Sequence, residues 1–220
     1  MNRQVIVVAA AIVAVLAFGL GSYFYSDQQT KELGRLLADG NSPLNRPGAP
    51  TLGPQEAKVE VVEFFDPACE SCRAFYPHVK GLLNANAQRV RLTLRYAAFH
   101  NGSEYVVRVL EAARLQSPEV YWNVFEAVLV AQPTWADHAR PQAQLVWNYL
   151  GQTGLDIEKA RRDMNDPRIT ERLKQDAADL RALKVARTPT FFVNGKPLQT
   201  FGPDGLRTQV RDEIASAYGQ

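Results

Sequence analysis

With 220 residues, 46% hydrophobic and 22% charged, the chain can bury a real core, which excludes bulk disorder. Its net charge of +2 comes from scattered basic residues with no basic run, which excludes nucleic acid as the main partner. Two cysteines, Cys69 and Cys72, are too few for a disulfide-stapled mini-fold.

The first predicted element is apolar. From Val5 to Tyr25 the sequence VIVVAAAIVAVLAFGLGSYFY carries no charge. About 20 apolar residues cross a bilayer core, so residues 1–25 are expected to form one transmembrane anchor. Arg3 and the terminal amine precede it, which keeps the N-terminus cytoplasmic and exports the remainder. Tyr23, Phe24 and Tyr25 would sit at the outer interface. A cleaved signal peptide is the competing reading, but its apolar region is usually shorter and no clean Ala-x-Ala follows. Either way the rest of the chain faces an oxidising compartment.

Residues 26–50 read as a linker. Leu33, Leu36 and Leu37 have helical spacing before a stop at Gly40, and NSPLNRPGAP is extended. The short helix is read as a juxtamembrane spacer, with self-association as the alternative. The folded domain is placed at 51–218. KVEVVEFF (58–65) is a β-branched and aromatic strand. A helix then runs from near Cys69 to about Asn86, with Pro77 inside it. RVRLTLRYAAF (89–99) alternates as a second strand, and the order predicts a parallel crossover. A helical block follows over about 103–185, with Ser117 and Pro118 opening one of its helices. TPTFFVNGKPLQT (188–200) returns to strand, with Asn194-Gly195 as a tight hairpin turn. A last helix spans about Pro203 to Tyr218.

The chemistry concentrates at Cys69 and Cys72. A helix start presents unpaired N–H groups and partial positive charge, both favouring a thiolate. Cys69 is therefore read as the nucleophile. Cys72, nearly one turn deeper, is read as the residue that resolves a mixed disulfide. A zinc site is weaker, because it needs four ligands and His78, His100 and His138 are scattered. A structural disulfide is also weaker, because so small a loop stabilises little. His100 reads first as a surface-loop histidine, with the active-site face as the alternative. His78 reads as an exposed helix residue, and Trp122, Trp135 and Trp147 as core.

The layout resembles the DsbA family of thioredoxin-fold proteins. VEFFDPACESC resembles that family's strand-to-Cys-x-x-Cys junction, with Glu63 six residues before Cys69. Pro77, five residues after Cys72, matches the helix-kinking proline, and RTPTFFVNG resembles the cis-proline loop and hairpin. The run-in SPLNRPGAPTLGPQEAKVEVVEFF is similar too. The resemblance covers roughly residues 50–218. It implies an α/β thioredoxin fold with an inserted helical domain, here preceded by the transmembrane helix. Pro189 is then the candidate cis-proline, with a trans strand-entry proline as the alternative. Thr188 would offer its backbone to an extended substrate. Glu63, on a central strand buried on both faces, would accept a proton near Cys72, an ordinary strand-end acid being the alternative.

The implied activity is thiol–disulfide exchange on exported cysteine-containing proteins. A membrane redox partner, DsbB-like or DsbD-like, would reset the pair, and no metal or organic cofactor is called for. The expected location is the bacterial inner membrane, single-pass, with the catalytic domain in the periplasm. One departure bears on direction. Strongly oxidising members carry Pro-His between the cysteines, whereas this chain has Glu70-Ser71. Glu70 should raise the energy of the Cys69 thiolate and weaken the oxidant. Thr188 also resembles the isomerase-type relatives. The short tether, with no dimerisation domain before the fold, tips the reading to disulfide formation. The alternatives are a reductase or isomerase of the same fold and a non-catalytic chaperone or binding module. A glutathione-using transferase fits less well, because such enzymes typically lack the second cysteine.

Overall fold

The computed structural model describes residues 3–38 and 42–219, and within the first helix the side chains at 4, 12–25, 28, 31, 34 and 35. Two compact units separate, Met1–Pro43 and Leu44–Gln220. The first unit is carried by α1 (Arg3–Ala38), one helix of 36 residues that runs without a break past residue 25. Anchor and spacer helix are thus continuous rather than separate. Among the described residues no helix is long and apolar enough to cross a membrane. The expected anchor, residues 1–25, falls partly outside the described residues. The side chains of Leu33, Leu36 and Leu37 also lie outside the described residues.

The second unit is built on a five-stranded sheet of order β1-β3-β2-β4-β5. The strands are β1 (Thr51–Leu52), β2 (Val59–Phe65), β3 (Val90–Tyr96), β4 (Thr190–Val193) and β5 (Lys196–Pro197). β2 pairs parallel with β3 and antiparallel with β4, so Glu63 sits opposite Leu94 on one side and Phe191 on the other. β1 adds antiparallel to β3 and has no counterpart in the sequence-based expectation. The expected Asn194-Gly195 turn joins β4 to β5, with both residues at positive φ (46° and 78°).

Helices cover both faces. α2 (Glu70–Ala85, with Pro77 inside) follows β2 and gives the expected parallel crossover to β3. Its buried Cys72, Phe75, Val79 and Leu83 join one core with Leu206, Val210 and Ile214 of α7 (Pro203–Tyr218). Strand alternation directs Val59, Val61, Glu63 and Phe65 to that face. Between β3 and β4 lie α3 (Ser103–Arg114), α4 (Pro118–Trp135), α5 (Ile157–Asp163) and α6 (Pro167–Ala182). Ser117 caps α4 by accepting from Val120 N–H at 3.1 Å, as expected. Residues 143–149 form a 3-10 segment instead of an α-helix. They are confined between Pro141 and Gly151, and short confined turns tighten in this way. Trp135 and Trp147 are buried in the core.

The opposite face of the sheet holds polar groups. Arg95 of β3, 1% exposed, reaches Asp176 and Asp179 of α6 at 2.6 Å each. Asp179 also pairs with Arg46 at 2.6 Å. This buried network ties α6 and the run-in segment to the sheet, beside the Phe64–Phe192 ring pair.

Candidate active site

β2 delivers the chain to the site, and Asp66 shapes the turn that leads into α2. Asp66 is fully buried. Its carbonyl accepts from Cys69 N–H at 3.1 Å, and its own N–H donates to Cys72 Sγ at 3.5 Å. Its carboxylate accepts from Ala68 N–H, Phe99 N–H and His100 N–H at 2.9, 2.8 and 3.0 Å. Ser103 Oγ also donates to it. These bonds, with Ala97 N–H on the Phe65 carbonyl at 2.8 Å, end β3 at Tyr96, earlier than the alternating pattern predicts. Ser103 therefore serves Asp66, and the position before α3 is Gly102.

Cys69 is the N-cap residue of α2 and 6% exposed, while Cys72 is fully buried. Both are free thiols. Gln132 of α4 clamps the loop from the other side. Its Nε2 donates to the carbonyls of Pro67 (2.7 Å) and Cys69 (3.0 Å), and its Oε1 accepts from Arg73 Nε at 2.9 Å.

The electrostatics differ sharply between the two sulfurs. A hydrogen bond from the Cys72 thiol does most to favour the Cys69 thiolate; burial opposes it. The Thr188 side chain and the N–H groups of Cys72 and Ser71 add to the stabilisation, so Cys69 falls from its ordinary 9.0 to about 5. Burial, the hydrogen bond to Cys69 and the Glu63 charge push Cys72 far up. One sulfur is held ready as a thiolate and the other as a thiol.

The Thr188–Pro189 peptide bond is cis, and the Thr188 carbonyl lies 3.4 Å from Cys69 Sγ. A thiol at Cys69 donates to that oxygen. Glu63 is 2% exposed on the central strand. Burial, then the Cys69 charge, raises it to about 8. Cys69, Cys72, Glu63, Thr188 and Pro189 are thus brought together by β2, α2 and the loop into β4.

Glu70 and Ser71 are exposed between the cysteines. Glu70 does not face Cys69 as an unpaired charge, which corrects the reading from sequence. Its Oε1 lies 2.7 Å from His138 Nε2. Its own N–H at the helix start lowers Glu70 most, burial opposes, and His138 adds to the lowering. His100 is more than a loop histidine: its Nδ1 lies 2.7 Å from Asp66 Oδ2, and its ring meets His138 edge to face at 5.1 Å. His78 is exposed on α2, as expected. Sequence reasoning assigned no role to Asp66, Gln132 or His138. Asp66 carried a signal, an acid held between an apolar strand and a proline. Gln132 carried a weaker one, a lone amide ending an apolar helical run.

A family profile described as Thioredoxin matches residues 45–212. The chain belongs to the thioredoxin family. It is similar to the thiol:disulfide interchange protein DsbA of Pseudomonas aeruginosa, 29% identical over 64% of this chain and 66% of that protein's length. It is similar to a thioredoxin-like oxidoreductase from Silicibacter pomeroyi. That crystal structure has 32% identity and a TM-score of 0.68, over 83% of this chain and 99% of that one. Disulfide bond formation protein D of Bacillus subtilis is 24% identical over 76% of this chain and 78% of its own length. The Na(+)/H(+) antiporter NhaA 3 of Salinispora tropica is 34% identical over 75% of this chain but only 24% of the antiporter. The chain spans about a quarter of the length of the first curated relatives it matches.

Proposed function

We propose that this thioredoxin-family protein is a thiol–disulfide oxidoreductase that forms disulfides in exported cysteine-containing proteins. The observation that carries the proposal is the placement of the two sulfurs: Cys69 opens α2 with its Sγ 3.4 Å from the Thr188 carbonyl, and Cys72 is fully buried behind it in the same helix turn. In the oxidised protein a substrate thiolate attacks Cys69 Sγ. The Cys69–Cys72 bond breaks, a substrate–Cys69 disulfide forms, and the electron pair leaves on Cys72. Glu63, near 8, supplies the proton that Cys72 takes up. A second substrate thiolate then attacks the substrate sulfur, releasing an oxidised substrate and the Cys69 thiolate. Two electrons have moved from substrate to protein. The stabilised Cys69 thiolate favours this direction, because a good leaving group makes a strong oxidant.

Thr188 and Pro189 hold the substrate. The Thr188 backbone beside Cys69 offers edge pairing to an extended segment. Reoxidation by a membrane DsbB-like partner completes the cycle. The opposite direction, with a DsbD-like reductant, is supported only by the Thr188 resemblance. The exposed apolar side chains of Ile12, Val13, Val15, Leu16, Phe18 and Leu20, ahead of Tyr23, Phe24 and Tyr25, support a membrane-tethering role for α1. That reading places the second unit outside the cytoplasm of a bacterial cell. The test is oxidation of a reduced two-cysteine peptide by the oxidised protein. Rapid oxidation, abolished by Cys69→Ser, is expected; oxidation unchanged in C69S would overturn the proposal.

A further inference from the structure

Glu70 and Ser71 stand between the two cysteines, so no imidazole lies there. The fold supplies two from elsewhere. His100 comes from the loop after β3 and His138 from the loop after α4. Their rings meet at 5.1 Å, on the flank of the site where Glu70 begins α2. A cleft of about 210 Å³ opens there, and its lining includes Ala68, Phe99, His100, Asp137 and His138. Each ring commits one nitrogen to a carboxylate, His138 to Glu70 and His100 to Asp66, both at 2.7 Å.

We propose that His138 and His100 are positioning residues for the redox pair: His138 holds and offsets the Glu70 carboxylate, His100 extends the imidazole pair to Asp66, and these two pairings set how strongly the Cys69 thiolate is favoured. This rests on the redox reading above and adds a regulator to it. The charged and titratable groups facing the pair are Asp66 from the end of β2, Cys69 and Glu70 from α2, and Asp137 from the α4 loop. Asp137 is occupied by the N–H groups of Ala139 and Arg140 at 2.9 and 2.8 Å. Asp66 is saturated by five donors. Glu70 is therefore the carboxylate whose charge reaches Cys69 once its imidazole is gone. Burial works against the charged His100 ring, yet Asp66 outweighs it, and the Cys69 and Glu70 charges add, so His100 is raised. As pH rises past the raised value of His100, its positive charge leaves and the disulfide becomes less oxidising.

The test compares the full-length wild type with His138→Gln, His100→Gln, Glu70→Gln and the H138Q/E70Q pair. Two quantities are read: the Cys69 thiolate absorbance against pH, and the equilibrium with glutathione from pH 5 to 9. H138Q should weaken the thiolate about tenfold, a rise of about one pKa unit. The same tenfold change in the glutathione equilibrium is about 30 mV toward a weaker oxidant. Adding E70Q to H138Q should recover most of the loss, while E70Q alone changes little. A mere structural role would move stability and leave these two curves in place. His138 is on the surface, so the H138Q curves decide the matter even if H100Q perturbs Asp66. Curves for H138Q that overlay the wild type, in protein that still exchanges disulfides, overturn this inference and spare the redox function. A wild type that exchanges none overturns the redox function and this inference with it.

Discussion

The sulfur of Cys69 and the carbonyl oxygen of Thr188 lie 3.4 Å apart although 119 residues separate them in the chain. That contact joins the helix start after β2 to the strand start of β4, the two halves of the sheet that flank the helical block. On the proposed function, a substrate segment lies alongside the Thr188 backbone, with its own sulfur at Cys69. The behaviour of the protein with pH follows from the charges held at that junction.

Cys69 should contribute more stability to the reduced protein as pH rises. Cys69 has a folded value near 5, below its ordinary 9.0. A depressed acid stabilises the fold in full above its unfolded value and loses that contribution as pH falls through the folded one. The gain is on the order of a few kcal/mol between pH 5 and 9. Urea unfolding of the reduced wild type against C69S, pH by pH, should show the difference widening upward.

Glu63 should act with the opposite sign. Its value is raised from 4.5 to about 8, so the fold loses stability as pH rises across that window and levels off above it. In the oxidised protein, where the Cys69 thiolate is absent, Glu63→Gln should be more stable than wild type by about 2–4 kcal/mol at pH 8 and equal to it near pH 4. If Glu63 supplies the Cys72 proton, the same variant should transfer disulfides roughly a hundredfold more slowly. Stopped-flow tryptophan fluorescence with a reduced peptide measures this.

Gln132→Leu should loosen the loop that carries Cys69. It strips two buried carbonyls, those of Pro67 and Cys69, of their donor. The cost is about 3 kcal/mol, read as a shift in the urea midpoint. Amide exchange at Ala68, Cys69 and Glu70 should accelerate, and exchange in β3 should not.

Arg95→Met should be more damaging than any surface charge replacement. It leaves Asp176 and Asp179 buried without their shared partner. A loss of about 3–5 kcal/mol is expected. Replacing Asp176 by Asn in the R95M background should recover part of it, which separates the charge effect from the volume change.

Much of the fold was legible because local patterns and the tertiary structure agree. The β-branched run at 58–65, the Asn194-Gly195 turn and the Ser117–Pro118 start each specify their element without help from afar. Arg95 was harder. Its strand alternates as though one face were solvated, yet α6 covers that face and neutralises it with acids from 81 and 84 residues away. No periodicity in β3 records that. At the site, Cys69 and Cys72 announce themselves by spacing, and the Thr188-Pro189 loop by resemblance. The pairing of Glu70 with His138 spans 68 residues and depends on how α4 ends, so the sequence showed Glu70 as a bare charge beside the nucleophile. That reading overstates its influence. A carboxylate next to a thiolate weakens it, while one already held by an imidazole does so far less.

The equilibrium of the Cys69–Cys72 disulfide with glutathione at pH 7 tests the central claim most directly. A thiolate held near 5 predicts a potential well above thioredoxin's, nearer the about −120 mV of a strong oxidant. A value near about −270 mV, thioredoxin's own, would contradict disulfide formation as the direction in which this protein works.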